Sequence, residues 1–198
     1  MSTINPREST SKPPRWPVHV QYCFEPRYHS SVPAEIRALV GPKASASGTK
    51  TTPFCRWTVI RRVTEPSHPA CGEYGLYAVK KIPPRTHIVD YIGEIHCDER
   101  LHSDYDLSLY RTQHGLSVGV DAFAMGNEAR FVNDYRGIKA KPNAVFEERR
   151  THAGELRMSI WSSNEAIKKG EEILVSYGKM WWHARSVGKD QTSEGSHE

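Results

Sequence analysis

The sequence has no apolar run that approaches the length of a membrane-spanning helix, and residues 1–14 are polar and contain prolines. A membrane span needs about 20 consecutive apolar residues. A signal peptide needs a basic start followed by an apolar core. We therefore expect neither a transmembrane helix nor a signal peptide, and we predict no membrane partner.

Cysteine is scarce, and no two cysteines form a C-x-x-C pair. The four lie at Cys23, Cys55, Cys71 and Cys97. Structural zinc sites use closely spaced Cys or His pairs, and secreted disulfide scaffolds use dense, regular cysteines. The best metal-like cluster, His96 and Cys97 with His102, matches no standard zinc spacing. We therefore predict no metal site and a reducing intracellular compartment.

Apolar residues and excess charge are also limited. Hydrophobic residues make up 37% of the 198, and 27 Lys and Arg face 23 Asp and Glu. This length favours one domain with tails. Residues 1–53 form a polar, basic, Pro- and Ser-rich leader with 7 bases and 3 acids, which we expect to be partly disordered. Residues 54–184 are the predicted domain, with 18 bases and 17 acids, and residues 185–198 a disordered tail. Any nucleic-acid contact is therefore expected through the leader only.

The predicted domain is rich in short strands. Runs with β-branched and aromatic content or partial alternation predict strands at 57–60, 88–92, 116–120, 156–161 and 173–177. A short helix is predicted at 32–40, with Ile36, Leu39 and Val40 on one face. A second helix is predicted at 97–110, and a single helical turn at 127–131. These elements indicate a β-rich α+β domain of several small sheets.

Four motifs then follow in a recognisable order. They are GEYGLYA at 72–78, YIGE at 91–94, VDAFAMGNEARFVN at 120–133 with Pro142-Asn143 after it, and GEEILVSYG at 170–178. Together they resemble the SET domain of protein-lysine methyltransferases. The resemblance spans the predicted domain and neither tail. It implies a fold in which the C-terminal motif passes under a loop near the third motif, in a knot-like crossing.

The resemblance implies a function as well as a fold. The family transfers a methyl group from S-adenosylmethionine to a lysine amine, without a metal. We therefore expect a protein-lysine N-methyltransferase whose substrate is a basic, histone-like tail, located in the nucleus. A cytosolic substrate is one alternative. A catalytically weak or inactive module that binds a chromatin or protein partner is another.

Site residues are carried over by their place in the motifs. Tyr177 is the predicted catalytic tyrosine, and Tyr91 is the predicted wall of the transfer site. The predicted donor-binding residues are Glu73, Tyr74, Gly75, Asn133 and Asp134. The predicted substrate-channel residues are Phe146, Val175, Trp181 and Trp182. The structural alternatives are core or strand tyrosines, a turn asparagine, and tryptophans that anchor a C-terminal helix.

The chemistry needs few special groups. A lysine amine with an ordinary pKa of about 10.4 must lose a proton before it attacks the methyl group. A narrow apolar channel beside a positive sulfonium lowers that pKa. Tyrosine hydroxyls and backbone carbonyls then hold the neutral amine. Neither Phe146 nor Val175 supplies an extra hydroxyl, so we expect room for di- or trimethylation.

Two departures from the family pattern bear on activity. The family's N-H-S-C is replaced by Asn133, Asp134, Tyr135 and Arg136. The missing cysteine agrees with the absence of the Cys-rich zinc segment that often follows SET domains. Asp134 would place an acid near the sulfonium, and Glu73 stands where the first motif has glycine. Both departures motivate the inactive-module alternative.

Charge is unevenly distributed within the predicted domain. Residues 90–106 contain six acids and one base. In the fold that the resemblance implies, this segment flanks the substrate groove, where an acidic wall suits a basic peptide. A solvated acidic face is the alternative interpretation.

Overall fold

The computed structural model describes residues 12–43 and 57–178, and its helices and strands are short. In chain order they are β1 (Gln21–Tyr22), β2 (Arg27–Tyr28), α1 (Ala34–Val40), β3 (Thr58–Arg62), β4 (Tyr74–Ala78), β5 (His87–Asp90), β6 (Glu94–His96), β7 (Asp106–Arg111), β8 (Ser117–Asp121), β9 (Met125–Gly126), a 3₁₀ helix (Glu128–Phe131), β10 (Asn133–Asp134), β11 (Ala144–Arg150), β12 (Leu156–Ser162) and β13 (Leu174–Val175). The predicted helical turn at 127–131 is confirmed. Asn127 caps it by accepting a hydrogen bond from the amide of Ala129.

The strands of the described residues form several small sheets, as predicted. One sheet has the order β2-β6-β8-β7 and another the order β11-β12-β5, while β3-β4, β1-β9 and β10-β13 pair separately. The central strands carry the core: Val118 and Val120 in β8 and Ile160 in β12 are at most 1% exposed. Their β-branched side chains pack well on a pleated surface. The predicted β-rich α+β class is therefore confirmed.

Residues 12–43 pack against the rest of the fold, although they belong to the segment that composition assigns to a leader. Trp16, Val20, Ile36 and Val40 all belong to the hydrophobic core. In addition, β1 pairs in parallel with β9, and β2 pairs in parallel with β6. The core thus draws on residues that precede the 54–184 segment.

The short helix predicted at 32–40 is present as α1, but its predicted face is wrong at one position. Ile36 and Val40 are buried, whereas Leu39 is 42% exposed. Each residue turns the helix by about 100°, so Leu39 points away from the side that its neighbour buries.

The helix predicted at 97–110 is wrong. Turns occupy this segment as far as Tyr105, and strand β7 then pairs antiparallel with β8. Leu107 and Leu109 alternate with Ser108, which is a strand period rather than a helical one. Residues 106–111 form a strand rather than a helix because β8 offers backbone partners for pairing.

The C-terminal motif passes through the structure in the expected crossing. Strand β13 pairs in parallel with β10. On its other side, the Asn143 side chain donates to the carbonyl of Glu172 at 2.8 Å and accepts from the amide of Leu174 at 2.8 Å. The motif is thereby held between residues 133–135 and Asn143. This crossing brings Tyr177 beside Asn133 and Asp134.

A buried carboxylate in β5 joins several strands. Asp90 accepts hydrogen bonds from Arg149 at 2.7 Å, Ser159 at 2.7 Å and Arg157 at 3.2 Å. Burial alone would raise the pKa of Asp90, but hydrogen bonds from His87, Arg149 and Ser159 hold that pKa well below its usual range.

We expect Asp90 to make the fold sensitive to acid. Because its pKa is lower in the folded state, its contribution to the free energy of unfolding is present above pH of about 4. That contribution is lost as the pH falls through the folded pKa. Asp90→Asn is expected to cost about 3 kcal/mol at pH 7, since Arg149 and Arg157 lose their charged partner in β5. It is also expected to lose less further stability on acidification than the wild type.

Urea unfolding between pH 7 and pH 2 measures this difference. Glu165→Gln is the matched control, because Glu165 pairs with Lys141 at an exposed position. If the free energy of unfolding falls in parallel with decreasing pH in the wild type and in Asp90→Asn, Asp90 is not the cause of the acid sensitivity.

Candidate active site

A cavity of about 960 Å³ lies where the four sequence motifs meet. Its size suits a ligand of several hundred daltons. Seven of the predicted site residues line it: Glu73, Tyr74, Tyr91, Asn133, Asp134, Phe146 and Tyr177. These residues come from β4 and the residue before it, from β10 and β11, and from the segments after β5 and β13. The crossing of the C-terminal motif therefore assembles the site.

Tyr177 is fixed at both its backbone and its hydroxyl. The hydroxyl donates to the carbonyl of Val132 at 2.7 Å, and the amide donates to Asp134 Oδ2 at 2.8 Å. Burial raises the pKa of Tyr177 above its usual range, and the charge of Asp134 adds to that effect. The hydroxyl therefore stays protonated at neutral pH, and its oxygen can also accept hydrogen bonds.

Tyr91 forms a second anchored hydroxyl in the same cavity. This hydroxyl donates to the carbonyl of Tyr105 at 2.9 Å, and the ring meets Phe146 edge-on at 6.0 Å. Burial raises the pKa of Tyr91 well above its usual value. Two protonated tyrosines, each oriented by a backbone carbonyl, thus face an aromatic wall.

Asn133 is held by two acceptors. Its Nδ2 donates to the carbonyl of Tyr74 at 3.2 Å and to Glu172 Oε1 at 2.8 Å. Gly75 does not line the cavity but lies behind this contact. A Cβ at Gly75 would stand 2.5 Å from Glu172 Oε1, so the absent side chain makes room for that carboxylate.

Asp134 is buried and braces the peptide segments around it. Its Oδ1 accepts from the amide of Arg136 at 2.8 Å, and its Oδ2 accepts from Arg136 Nη1 at 2.9 Å. Oδ2 also accepts from the amide of Tyr177. The acid that replaces the family's histidine is therefore paired with a cation in the same cavity lining.

The remaining predicted residues lie elsewhere. Val175 is fully buried in β13, opposite Asp134, and does not line the cavity. The prediction for Trp181 and Trp182 falls outside the described residues. Glu73, which does line the cavity, is exposed and directly precedes β4.

Several residues that line the cavity are not among those predicted from the sequence. Residues 15–19 of the assigned leader line one wall, and Trp16 packs edge-on against Phe131 at 5.5 Å. A lone tryptophan in a polar segment was the signal for this packing. Tyr105 also lines the cavity, but the incorrect helix prediction at 97–110 gives no indication of this. Arg130, stacked on the Tyr105 ring at 4.1 Å, is not among the predicted site residues. His68 carried no sequence signal.

Four of the six acids of residues 90–106 have a cationic or imidazole partner nearby. Arg149 pairs with Asp90, and Arg100 pairs with Glu94 at 2.9 Å and Asp98 at 3.0 Å. His96 contacts Asp106 at 2.8 Å. Burial would lower the pKa of that histidine, but this carboxylate raises it on balance. These contacts offset part of the negative charge of the segment, because Arg100 alone serves both Glu94 and Asp98.

Neither a metal cluster nor a membrane span is found in the described part of the chain. No three His, Cys, Asp or Glu side chains of residues 12–43 and 57–178 are arranged to hold a metal ion. No helix within these residues is both long and apolar enough to cross a membrane.

Comparison with known families gives the context of this cavity. The family model of the SET domain matches residues 73–178, more than half of the sequence. The chain belongs to the SET-domain family. The predicted resemblance is thereby confirmed, and the matched residues contain every cavity residue that the motifs predicted.

Relatives of this SET domain are histone-lysine methyltransferases. It is 37% identical to histone-lysine N-methyltransferase set-2 of Caenorhabditis elegans over 112 residues, which cover 52% of this chain and 7% of that protein. It is 28% identical to histone-lysine N-methyltransferase EHMT1 of Homo sapiens over 115 residues, which cover 55% and 8%. Inactive histone-lysine N-methyltransferase 2E of Mus musculus is 26% identical over 162 residues, which cover 76% and 8%. The chain thus spans less than a tenth of these relatives' lengths.

A solved structure supports the SET fold. The crystal structure of ATXR5 in complex with histone H3.1 mono-methylated on R26 aligns with a TM-score of 0.57 and 17% identity, covering 81% of this chain and 82% of that one. At this identity the likeness concerns the fold. The predicted SET architecture is confirmed by it.

Proposed function

We propose that this SET domain is an S-adenosylmethionine-dependent protein-lysine N-methyltransferase that acts on a histone-like basic tail. The observation that carries the proposal is the pair of anchored hydroxyls, Tyr91 and Tyr177, in the same cavity as Asn133. This combination supplies an amine-binding end and a polar ligand-binding end within one enclosure.

The cavity suits the methyl donor on several grounds. Asn133 uses both of its amide protons on Tyr74 and Glu172, which leaves Oδ1 as an acceptor for an ammonium group. Aromatic surface is available from Tyr74 and Phe131, whose rings meet edge-on at 5.8 Å. Bound S-adenosylmethionine supplies an activated methyl group for in-line transfer to the amine.

The tyrosines act by holding the lysine amine rather than by removing its proton. Their raised pKa values keep both hydroxyls protonated at neutral pH. Each proton is directed to a backbone carbonyl, so the oxygens accept hydrogen bonds from the amine N–H groups. These contacts orient the nitrogen lone pair toward the transferring methyl.

Loss of the amine proton to solvent is favoured by the surroundings. The guanidinium of Arg130 lines the cavity and stacks on Tyr105 and Phe131. A nearby cation and apolar walls both lower the pKa of a lysine that enters the cavity. The neutral, nucleophilic amine is thereby favoured near physiological pH.

The substrate assignment is supported by the relatives rather than by surface charge. Enzymes named as histone-lysine methyltransferases share the domain, and such substrates support a nuclear location, with the cytoplasm as the alternative. The acids at 90–106 are partly paired with nearby cations and contribute little to this argument. The mouse relative named inactive favours a second candidate, a domain that binds a partner without transferring methyl groups.

Calorimetry with S-adenosylhomocysteine and radiolabelled methyl transfer to core histones and cell lysate test the proposal. Donor-product binding together with labelled lysine supports the enzyme. If the domain neither binds the donor product nor labels any protein, the partner-binding module would be the better account. Labelling of lysate proteins without histones would change the substrate class alone.

We expect the product state to depend on Phe146. This ring lines the cavity beside Tyr91 and carries no hydroxyl. Phe146→Tyr adds a polar group that holds the amine or a water and reduces the space for methyl groups. Mass spectrometry with excess donor is expected to show di- or trimethyllysine for the wild type and mainly monomethyllysine for the variant.

Phe24→Tyr is the matched control, because Phe24 lies outside this cavity and packs on Tyr22. It is expected to leave the product distribution unchanged. Exclusively monomethylated product from the wild type would contradict the expectation.

A further inference from the structure

A buried carboxylate stands directly behind the cavity and belongs to none of the predicted site residues. The Glu172 side chain is 7% exposed and receives three hydrogen bonds. Asn133 Nδ2 donates to its Oε1 at 2.8 Å, while His68 at 3.0 Å and the hydroxyl of Tyr77 at 3.3 Å contact its Oε2. A buried carboxylate requires such partners, because desolvation of an unpaired charge is costly.

The tautomer of His68 follows from its second contact. Its Nδ1 accepts a hydrogen bond from the amide of Ala70 at 3.0 Å, so its proton lies on Nε2 and is donated to Glu172. The His68 side chain is also 7% exposed. A backbone amide thus fixes the imidazole, and the imidazole fixes one oxygen of the carboxylate.

The carboxylate in turn permits only one orientation of the Asn133 amide. With Nδ2 toward Glu172 and the carbonyl of Tyr74, both amide protons meet acceptors. A flipped amide would direct Oδ1 at the same two acceptors, and like partial charges would repel. The carbonyl oxygen therefore remains as the polar atom that Asn133 offers to a ligand.

We propose that His68 and Glu172 are positioning residues that lock the Asn133 amide, so that the donor pocket selects a ligand carrying an α-ammonium group. The proposal rests on the function proposed above. It adds His68, which lies before the SET-family match, to the residues that determine donor recognition. It also explains Gly75, whose missing side chain leaves space for the Glu172 carboxylate.

A pair of ligands tests this selectivity directly. Calorimetry measures the dissociation constants of S-adenosylhomocysteine and of its analogue in which hydrogen replaces the α-amino group. A hydrogen bond to a charged group is worth about tenfold or more in affinity, so we expect the wild type to bind the analogue at least about tenfold more weakly. This ratio of the two constants is the readout.

His68→Phe and Glu172→Gln are expected to reduce the ratio to about threefold or less, because a freed amide or a neutral partner tolerates both orientations of Asn133. His68→Gln retains an N–H donor toward Glu172 and is expected to restore most of the ratio. His87→Phe is the matched control. His87 contacts the carboxylate of Asp90 at a distance of 2.8 Å, and both residues lie outside the cavity. This variant is expected to keep the wild-type ratio.

The outcomes separate this inference from the proposed function. Equal weakening of both ligands in His68→Phe and Glu172→Gln, with the ratio unchanged, would show that the pair only supports the fold and would overturn the inference. A wild type that binds both ligands equally would overturn it as well. A wild type that binds neither ligand would instead refute the proposed donor site.

Discussion

Replacing Tyr177 with phenylalanine is expected to reduce methyl transfer by about 100-fold to 1,000-fold, as is typical when one oriented group at a reacting centre is removed. The Tyr177 hydroxyl is anchored on the carbonyl of Val132 at 2.7 Å. Its loss removes an acceptor for the lysine amine but keeps the ring that lines the cavity. Stability is expected to fall by only about 1 kcal/mol, the net value of one hydrogen bond.

The measurement compares initial rates of radiolabelled transfer with the dissociation constant of S-adenosylhomocysteine. We expect the rate to fall while that constant changes little, because the hydroxyl acts on the amine. Tyr28→Phe is the matched control. The Tyr28 hydroxyl donates to Glu155 at a distance of 3.1 Å, and both residues lie outside the cavity. Tyr28→Phe therefore removes a hydrogen bond without affecting the reaction. Equal rates for the wild type and Tyr177→Phe would remove Tyr177 from the catalytic role.

The motifs predicted the fold and seven of the residues that line the cavity. The 3₁₀ turn after Asn127 and the pairing of β10 with β13 depend on short-range caps and on the crossing that the resemblance implies. Seven of the predicted site residues consequently meet in one cavity. Val175 could not be distinguished from a channel residue, since the sequence does not reveal which side of a two-residue strand faces a cavity.

Contacts made by residues far apart in sequence were the ones that the sequence did not reveal. Composition assigns residues 1–53 to a partly disordered leader, yet Trp16 contributes to both the core and the cavity wall. The pairing of β7 with β8 replaced the helix predicted at 97–110. His68 lies 104 positions from Glu172, and only the folded chain brings the two together.

Asp134 is the departure that raised the question of inactivity, and its contacts indicate a second role. Its carboxylate accepts from the amides of Tyr177 and Arg136 and from the Arg136 guanidinium. The positive partner offsets the acid that would otherwise stand near a sulfonium. The acid also ties the segment that carries Tyr177 to β10. We therefore expect Asp134 to affect turnover through Tyr177 more than it affects donor affinity.

Asp134→Ala is expected to destabilise the fold by about 2–4 kcal/mol, because buried amides and a partly buried guanidinium lose their acceptor. Asp134→Asn keeps one oxygen acceptor and is expected to lose about half as much. Urea unfolding measures both changes. At a temperature where both variants are folded, we expect Asp134→Asn to lower kcat by about tenfold while the donor-product dissociation constant changes less than about threefold.

Arg136→Ala provides the comparison within the same contact. Arg136 keeps 35% side-chain exposure, so removing its guanidinium is expected to cost no more than about 1 kcal/mol. A much weaker donor-product affinity in Asp134→Asn, with kcat unchanged, would reverse the assignment and make Asp134 a donor contact. The backbone amide of Tyr177 donates a hydrogen bond to this carboxylate. We therefore expect the loss of this hydrogen bond to lower kcat.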